Sequence, residues 1–377
     1  MNNIKIVLNM NFGLESVVKR ELLDMGYADL EVNDGQISFQ GSLRDIAILN
    51  LRIRSAERVF IELANFEATT FEELFDKVYS LPWQDIISKD GNFIIQGRSA
   101  KSKLFSVSDC QRITEKAIIK KLQRTYDISY FSKSEERYKI EVILYKDIAR
   151  IVLDTSGEGL HKRGYREASY KAPLSETIAA GLVQLSYWNK DRIFWDPFCG
   201  SGTIAIEAAM IGNDIAPGLM RSFDFEKFMF MDEKYIKEEK ARCYGDIKYD
   251  NSLEIYGTDI SYKAIEIAKM NAEILGIDED VKFFVKDIKE LDIAGDYGVI
   301  ITNPPYGVRI GEGEVEELER ELGKLYKSLD TWSLYAISAD ENFEKSFGKG
   351  ANRNRKLYNG RIKTYYYQYL GPAPKRI

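Results

Sequence analysis

Two short stretches of the sequence hold residue types suited to group-transfer chemistry. The first is Asn303-Pro304-Pro305-Tyr306-Gly307, which follows an apolar run from Tyr297 to Thr302. Adjacent prolines have a fixed φ and no backbone N–H, so this loop is stiff and its carbonyl oxygens are free to accept hydrogen bonds. An amide oxygen, a proline carbonyl and an aromatic face in one rigid loop suit a planar group that carries an NH2. The plainer alternative is a rigid turn, or a proline-rich ligand for another domain. The second stretch is Asp196-Pro197-Phe198-Cys199-Gly200-Ser201-Gly202-Thr203. Its glycines permit a tight turn and close backbone approach to a ligand. A helix predicted from Thr203 to Ile211 would add the anion-favouring end of its dipole. The spacing is neither G-x-G-x-x-G nor a lysine-bearing phosphate loop, so a dinucleotide or ATP is the weaker reading.

These loops need strands to present them. Residues Tyr297–Thr302 and Ile193–Asp196 predict buried strands, which place both loops at strand C-terminal ends, where open α/β sheets bind ligands. A helix is predicted over Pro173–Tyr187, with Pro173 and Glu176 at its favourable end. Further strands are predicted at Glu254–Gly257, Val281–Val285 and Leu334–Ser338, with helices at Tyr262–Leu275 and Glu314–Leu329. Asp259 and Ile260 follow one strand, and Asp287 and Ile288 another. Asp259 is the candidate for ribose hydroxyls, although the ordinary gap after the glycines is about 20 residues. An insertion over residues 213–254, with a charged helix at Glu233–Arg242, explains the longer gap. Asn359-Gly360 between two strand-like runs, Lys356–Tyr358 and Arg361–Leu370, predicts a hairpin that closes the sheet.

Composition narrows the class. The chain has 377 residues, enough for two or three domains, with 45% hydrophobic and 30% charged residues. No apolar run reaches the roughly 18–20 residues of a membrane span. Met1-Asn2-Asn3-Ile4-Lys5 lacks the pattern of a secretory signal, so a cytoplasmic protein is expected. Cys110, Cys199 and Cys243 are far apart and His161 is the only histidine, which leaves no zinc pattern and no thiol–imidazole pair. No metal is expected, and His161 reads as part of an exposed basic loop. Net charge is −6, but unevenly spread. Residues 101–150 hold twelve Lys and Arg against seven acids, and residues 351–377 hold seven against none. Residues 251–350 hold eleven against twenty-one acids. Such asymmetry suits a chain that meets a polyanion on selected faces.

The first half reads as two small α+β units. Strands at Ile4–Leu8, Leu30–Val32, Gln36–Phe39 and Glu57–Ala64, with helices at Gly13–Met25 and Ser42–Leu49, make a ferredoxin-like unit. Next come a helix at Phe71–Ser80, a strand at Phe93–Gln96, a loop, and a helix at Ser108–Gln123. Strands at Lys139–Tyr145 and Ile148–Asp154 follow. The helix carries Arg112, Lys116, Lys120 and Lys121 on one broad face beside Lys101 and Lys103, a stripe able to neutralise several phosphates.

The runs Gly97–Leu122, Tyr138–Asp154 and Gly157–Arg166 resemble a THUMP domain and its exit, which implies an RNA partner recognised largely by shape. Lys101, Lys103, Arg112, Lys116, Arg163 and Arg166 are the candidate RNA contacts by charge and position, and Arg353, Arg355, Lys356, Arg361 and Lys363 candidates at the rim. The Asp196–Thr203 loop resembles that of class I methyltransferases, which use S-adenosylmethionine. The resemblance implies that the loop takes the methionine end of the cofactor, with Asp196 orienting its amino group. Cofactor contacts are expected from Pro173, Leu174, Glu176, Thr177, residues 196–203, Asp259, Ile260, Asp287, Ile288 and Asn303. Asp287 would hold the adenine amino group, and Asn303, Pro304, Pro305 and Tyr306 would form the catalytic loop. The expected fold is an α/β Rossmann-like class I methyltransferase, its mostly parallel sheet closed by an antiparallel C-terminal hairpin. Ferredoxin-like and THUMP-type domains precede it, with domains at 1–66, 67–156 and 171–377 and a basic linker at 157–170.

Asn-Pro-Pro-Tyr alone does not separate adenine N6, guanine N2 and a glutamine amide. Taken together, the modules resemble the stand-alone bacterial 23S rRNA guanine-N2 methyltransferases over nearly the whole chain. That resemblance implies N2 methylation of a guanosine in 23S rRNA. A tRNA guanosine-N2 methyltransferase and a non-catalytic RNA-binding assembly factor that keeps a cofactor pocket are the rivals. An adenine-N6 DNA enzyme has no use for a THUMP-like domain. No obligate protein partner and no membrane are expected.

Overall fold

The computed structural model of the protein describes residues 3–127, 136–166, 174–305, 312–360 and 362–374. The first half runs β1 (Ile4–Met10), α1 (Glu15–Asp24), β2 (Glu31–Asn33), β3 (Gln36–Gly41), α2 (Leu43–Arg52) and β4 (Ala56–Glu67). It continues with α3 (Phe71–Ser80), β5 (Asn92–Ala100), α4 (Val107–Tyr126), β6 (Arg137–Tyr145) and β7 (Ile148–Asp154). Local sequence explains the helix starts. Thr70 and Glu73 form a reciprocal capping box for α3, and Ser106 Oγ caps α4 at Asp109 N.

These strands form one seven-stranded sheet in the order β2-β3-β1-β4-β7-β6-β5. The join is β4, whose first part pairs with β1 and whose second part pairs with β7. The ferredoxin-like and THUMP-like units therefore share one hydrogen-bonded sheet. Gly97–Ala100, read as loop from its polar residues, is strand because it pairs in parallel with β6 as far as Ala100 opposite Tyr145.

The second half contains α5 (Glu176–Leu185), β8 (Phe194–Asp196), α6 (Thr203–Gly212), α7 (Glu233–Asp246), β9 (Ile255–Asp259), α8 (Tyr262–Leu275) and β10 (Val281–Val285). Then come β11 (Val299–Thr302), α9 (Glu312–Lys327), β12 (Ser333–Ser338), α10 (Phe343–Phe347), β13 (Arg353–Asn359) and β14 (Ile362–Tyr369). The sheet order is β10-β9-β8-β11-β12-β14-β13, parallel from β10 to β12 and antiparallel thereafter. Every residue of β11 and β12 is buried, which is why they read as unbroken apolar runs rather than alternating ones. Strand order reverses at β8, between β9 and β11, so the crevice at the C-terminal ends of β8 and β11 is the switch point of this fold.

The insertion joins the two halves. α7 packs on α2, where Arg52 is paired with Glu239 and Asp246, and Arg44 with Glu238. Before it, Phe228 stacks on Tyr138 of β6 at 4.8 Å between ring centroids. The linker is fastened too. Arg163 is 2% exposed; it pairs with buried Glu207 of α6 at 3.2 Å and donates to the Leu160 and Arg54 carbonyls. Among the described residues, no helix is long and apolar enough to cross a membrane.

Candidate active site

A cleft of about 490 Å³ opens at the switch point. Its floor is the junction of β8 and β11. Thr302 Oγ1 donates to Asp196 Oδ1 at 2.6 Å, tying together the strand ends that carry the two loops. Asp196 also accepts from Phe198 N at 3.1 Å. Burial pushes the Asp196 carboxyl up to about 7, and the charge of Asp259 adds to the rise, while the Thr302 and Phe198 hydrogen bonds oppose it.

The glycine loop follows. Gly200 and Gly202 both have positive φ, 53° and 84°. A Cβ on Gly202 would lie 2.7 Å from the Phe283 ring, so the turn needs glycine for its conformation and for the strand packed beneath it. Asp259, at the end of β9, accepts from Gly200 N at 3.0 Å and from Ser261 N at 2.8 Å. One carboxylate thus sets the loop's position and closes the adjoining turn. Asp287, after β10, accepts from Lys289 N at 3.0 Å. Asn271 of α8 donates to the Ser201 carbonyl at 3.2 Å.

Of the residues expected to contact a cofactor, Leu174, Asp196, Pro197, Phe198, Cys199, Gly200, Ser201, Thr203, Asp259, Ile260, Asp287, Ile288 and Asn303 all line this cleft. Gly202 lies within its loop. Glu176 and Thr177 do not line it. Thr177 is buried and donates to Glu57 of β4, and Glu176 pairs with Arg166 of the linker at 3.2 Å, so both side chains are engaged outside the cleft. Pro173, Tyr306 and Arg309 fall outside the described residues, as does Arg361. Pro304 and Pro305 stand at the cleft edge beside Asn303, whose Oδ1 is buried and has no hydrogen-bond partner among the described residues. That orphaned acceptor fits a donor arriving from outside.

Sequence reasoning missed Thr302, although a threonine ending an otherwise apolar strand was a signal. It also missed Glu314, Glu317 and Leu318 of α9, which form the far wall, with Lys289 paired to Glu317 at 2.6 Å. Five carboxylates against two lysines line the cleft among the described residues. Such a wall suits a ligand bearing positive charge.

The six expected RNA contacts divide. Lys101, Lys103, Arg112 and Lys116 are exposed together on the loop after β5 and the first half of α4. Asp147 in the β6–β7 turn holds Lys103 N at 2.7 Å, and Lys101 lies over the Tyr145 ring. Lys120 and Lys121 turn instead onto Phe75 and Tyr79 of α3. Arg163 is a correction. It is buried with Glu207 and is not a surface cation. Arg166 is another, for its side chain is 17% exposed and its Nη2 donates to Thr203 Oγ1 at 2.6 Å. Their linker looked like an exposed basic loop because periodicity does not register a long-range buried acid. His161 is partly exposed and faces Glu57 at 3.1 Å, away from the cleft.

Residues 163–368 match a family model described as an RMKL-like methyltransferase domain. The chain belongs to this family. Ahead of its RMKL-like domain, residues 5–60 match an RlmL ferredoxin-like domain and residues 68–154 a THUMP domain. A relative in Bacillus subtilis (strain 168), named "Putative RNA methyltransferase YpsC", is 43% identical over 98% of this chain and 96% of its own length. The ribosomal RNA large subunit methyltransferase K/L of Psychromonas ingrahamii is 33% identical over 97% of this chain, which spans half of that longer protein. Among solved structures, SMU.472 in complex with S-adenosylhomocysteine matches at 39% identity and a TM-score of 0.93 over the full length of both. A Listeria monocytogenes protein, described as "a predicted N6-adenine-specific DNA methylase", matches at 43% and 0.93 over 98% of this chain and 97% of its own. This RMKL-like chain is a methyltransferase of the class I fold with ferredoxin-like and THUMP domains, and S-adenosylmethionine is its cofactor.

Proposed function

We propose that this chain transfers a methyl group to the exocyclic N2 amine of a guanosine in 23S rRNA. The observation that carries the amine chemistry is Asn303 Oδ1, a buried acceptor with no partner among the described residues, at the lip of the cofactor cleft just after β11. When bound, S-adenosylmethionine supplies an electrophilic methyl group. The chain's task is alignment. An exocyclic base amine is a poor nucleophile because its lone pair is delocalised into the ring. Hydrogen bonds from that NH2 to Asn303 Oδ1 and to the Pro304 carbonyl draw the nitrogen towards tetrahedral geometry and free the lone pair. The two prolines keep both acceptors in place without reorganisation. Tyr306 is assigned to stack on the target base, which must leave its own stack to enter the cleft. No histidine takes part, and the proton departs after transfer.

The substrate class rests on the first half. A THUMP domain and four exposed cations at Lys101, Lys103, Arg112 and Lys116 support RNA. The large-subunit K/L relative supports 23S rRNA, and family resemblance supports guanine N2. We place the reaction in the cytoplasm. The deciding assay offers labelled S-adenosylmethionine with naked 23S rRNA, protein-free 16S rRNA and total tRNA, followed by nucleoside analysis. N2-methylguanosine in 23S rRNA is expected. Label found only as methyladenosine, or only in tRNA, overturns the proposal.

A further inference from the structure

Arg166 stands in the wall between two cavities. On one side is the cofactor cleft, lined by Thr203, the first residue of α6. On the other is a cavity of about 1190 Å³, lined by Arg166 itself, Asn11 and Glu57 of the first half, and the tip of the β13–β14 hairpin. We propose that Arg166, a residue of the linker that leaves the RNA-binding half, completes the subsite for the cofactor's methionine carboxylate by acting through Thr203. The inference rests on the cofactor assignment and is independent of which base is methylated.

Hydrogen-bond polarity is the first ground. Arginine only donates. Thr203 Oγ1 therefore accepts from Arg166 Nη2, and the hydroxyl proton remains to be given elsewhere. Among the described residues it has no acceptor, and Thr203 borders the cleft. Ser201 is an independent second ground. It is 4% exposed, lines the same cleft and has an Oγ without a partner among the described residues. Two hydroxyls and the first backbone N–H groups of α6 thus border the same cleft. Asp196 and Asp259, which also line the cleft, are engaged with Thr302, Gly200 and Ser261 and would repel an anion. The methionine carboxylate is the anionic group of an otherwise cationic cofactor. Glu176 holds the guanidinium from behind at 3.2 Å, which fixes its aim at Thr203. Arg166 is a positioning residue here, and its charge reinforces a neutral donor.

The test compares two ligands by calorimetry. S-adenosylhomocysteine carries the carboxylate; 5′-methylthioadenosine has the same nucleoside and thioether but lacks the amino-acid end. In Arg166→Met, affinity for S-adenosylhomocysteine is expected to fall ten- to fifty-fold, while affinity for methylthioadenosine changes less than twofold. Arg166→Lys should recover part of the loss. Thr203→Val, which keeps the Arg166–Glu176 pair, should show the same ligand-selective loss and guards against a variant that fails to fold. Equal losses for both ligands in both variants would mean a merely structural role and overturn the proposal. Unchanged S-adenosylhomocysteine affinity in both would overturn it as well. If the unmodified chain bound no S-adenosylhomocysteine, the cofactor assignment itself would fail, a distinct outcome.

Discussion

Cofactor affinity should depend on pH through Asp196. Its carboxyl is raised to about 7 by burial, and the role proposed for it, holding the cofactor's ammonium, needs the ionised form. The sign follows directly. Below 7 the empty site is largely protonated, so binding must expel a proton, and affinity falls with pH. With a site near 7, about half of the molecules are ionised at pH 7 and about 3% at pH 5.5, and apparent affinity scales with that fraction. S-adenosylhomocysteine should therefore bind roughly fifteenfold more weakly at pH 5.5 than at pH 7, with close to one proton released per ligand at the lower pH. Calorimetry in buffers of different ionisation enthalpy reads both quantities. Asp196→Asn should bind more weakly but lose the slope and the proton release. A flat profile between pH 5.5 and 7, or a slope that survives in the asparagine variant, would refute the reasoning. Without ligand the same group works the other way. Its folded value lies above its unfolded one, so its contribution to stability is full below about pH 4 and is lost as pH rises through 7.

Asn303→Ala should cut the methyl-transfer rate by at least about 10²-fold, as removal of a preorganised oxyanion-hole donor does elsewhere, while S-adenosylhomocysteine affinity changes less than threefold. Single-turnover kinetics beside calorimetry separates the two. Arg163→Met leaves Glu207 buried without its partner and should destabilise the fold by about 3–5 kcal/mol, measured by denaturant unfolding. The double variant with Glu207→Gln should regain much of that loss; if it does not, the pair is not the cause. Charge reversal at Lys101 and Lys116 should weaken RNA binding and lower the salt slope of the affinity by about one to two, with unchanged cofactor affinity. Equal RNA affinity at low salt would remove these lysines from the interface.

Local order was legible wherever one physical signal dominated. Tyr262–Leu275 and Val281–Val285 were readable to the residue, from an apolar stripe of period 3.6 and a short β-branched and aromatic run. The glycine loop and Asn303 were legible because their chemistry is local. Arg163 and Arg166 were not, because their charge is spent on Glu207 and Glu176, acids that only the fold brings near. Thr177 points the same way, its hydroxyl used by Glu57, 120 residues earlier. The order of predicted elements also placed the start of a new unit near Glu67. The sheet runs through it, because β4 has twelve residues and reaches both neighbours.

The place of β14 has a consequence for how the chain folds as it is made. Residues 362–369 are synthesised after β13, yet they lie between β12 and β13 and supply the strand pairing that joins β13 to the parallel strands. The hairpin also reaches back across the molecule, with Arg355 donating to the Gly13 carbonyl and Tyr358 edge-on to Phe12. The seven-stranded sheet of the first half needs nothing beyond residue 154 for its pairing and can form while the rest is still emerging. The cofactor half cannot finish until β14 arrives, and until then β12, with every residue destined for burial, presents a bare edge. The pairing of the first sheet can be complete before the second sheet receives its last strand.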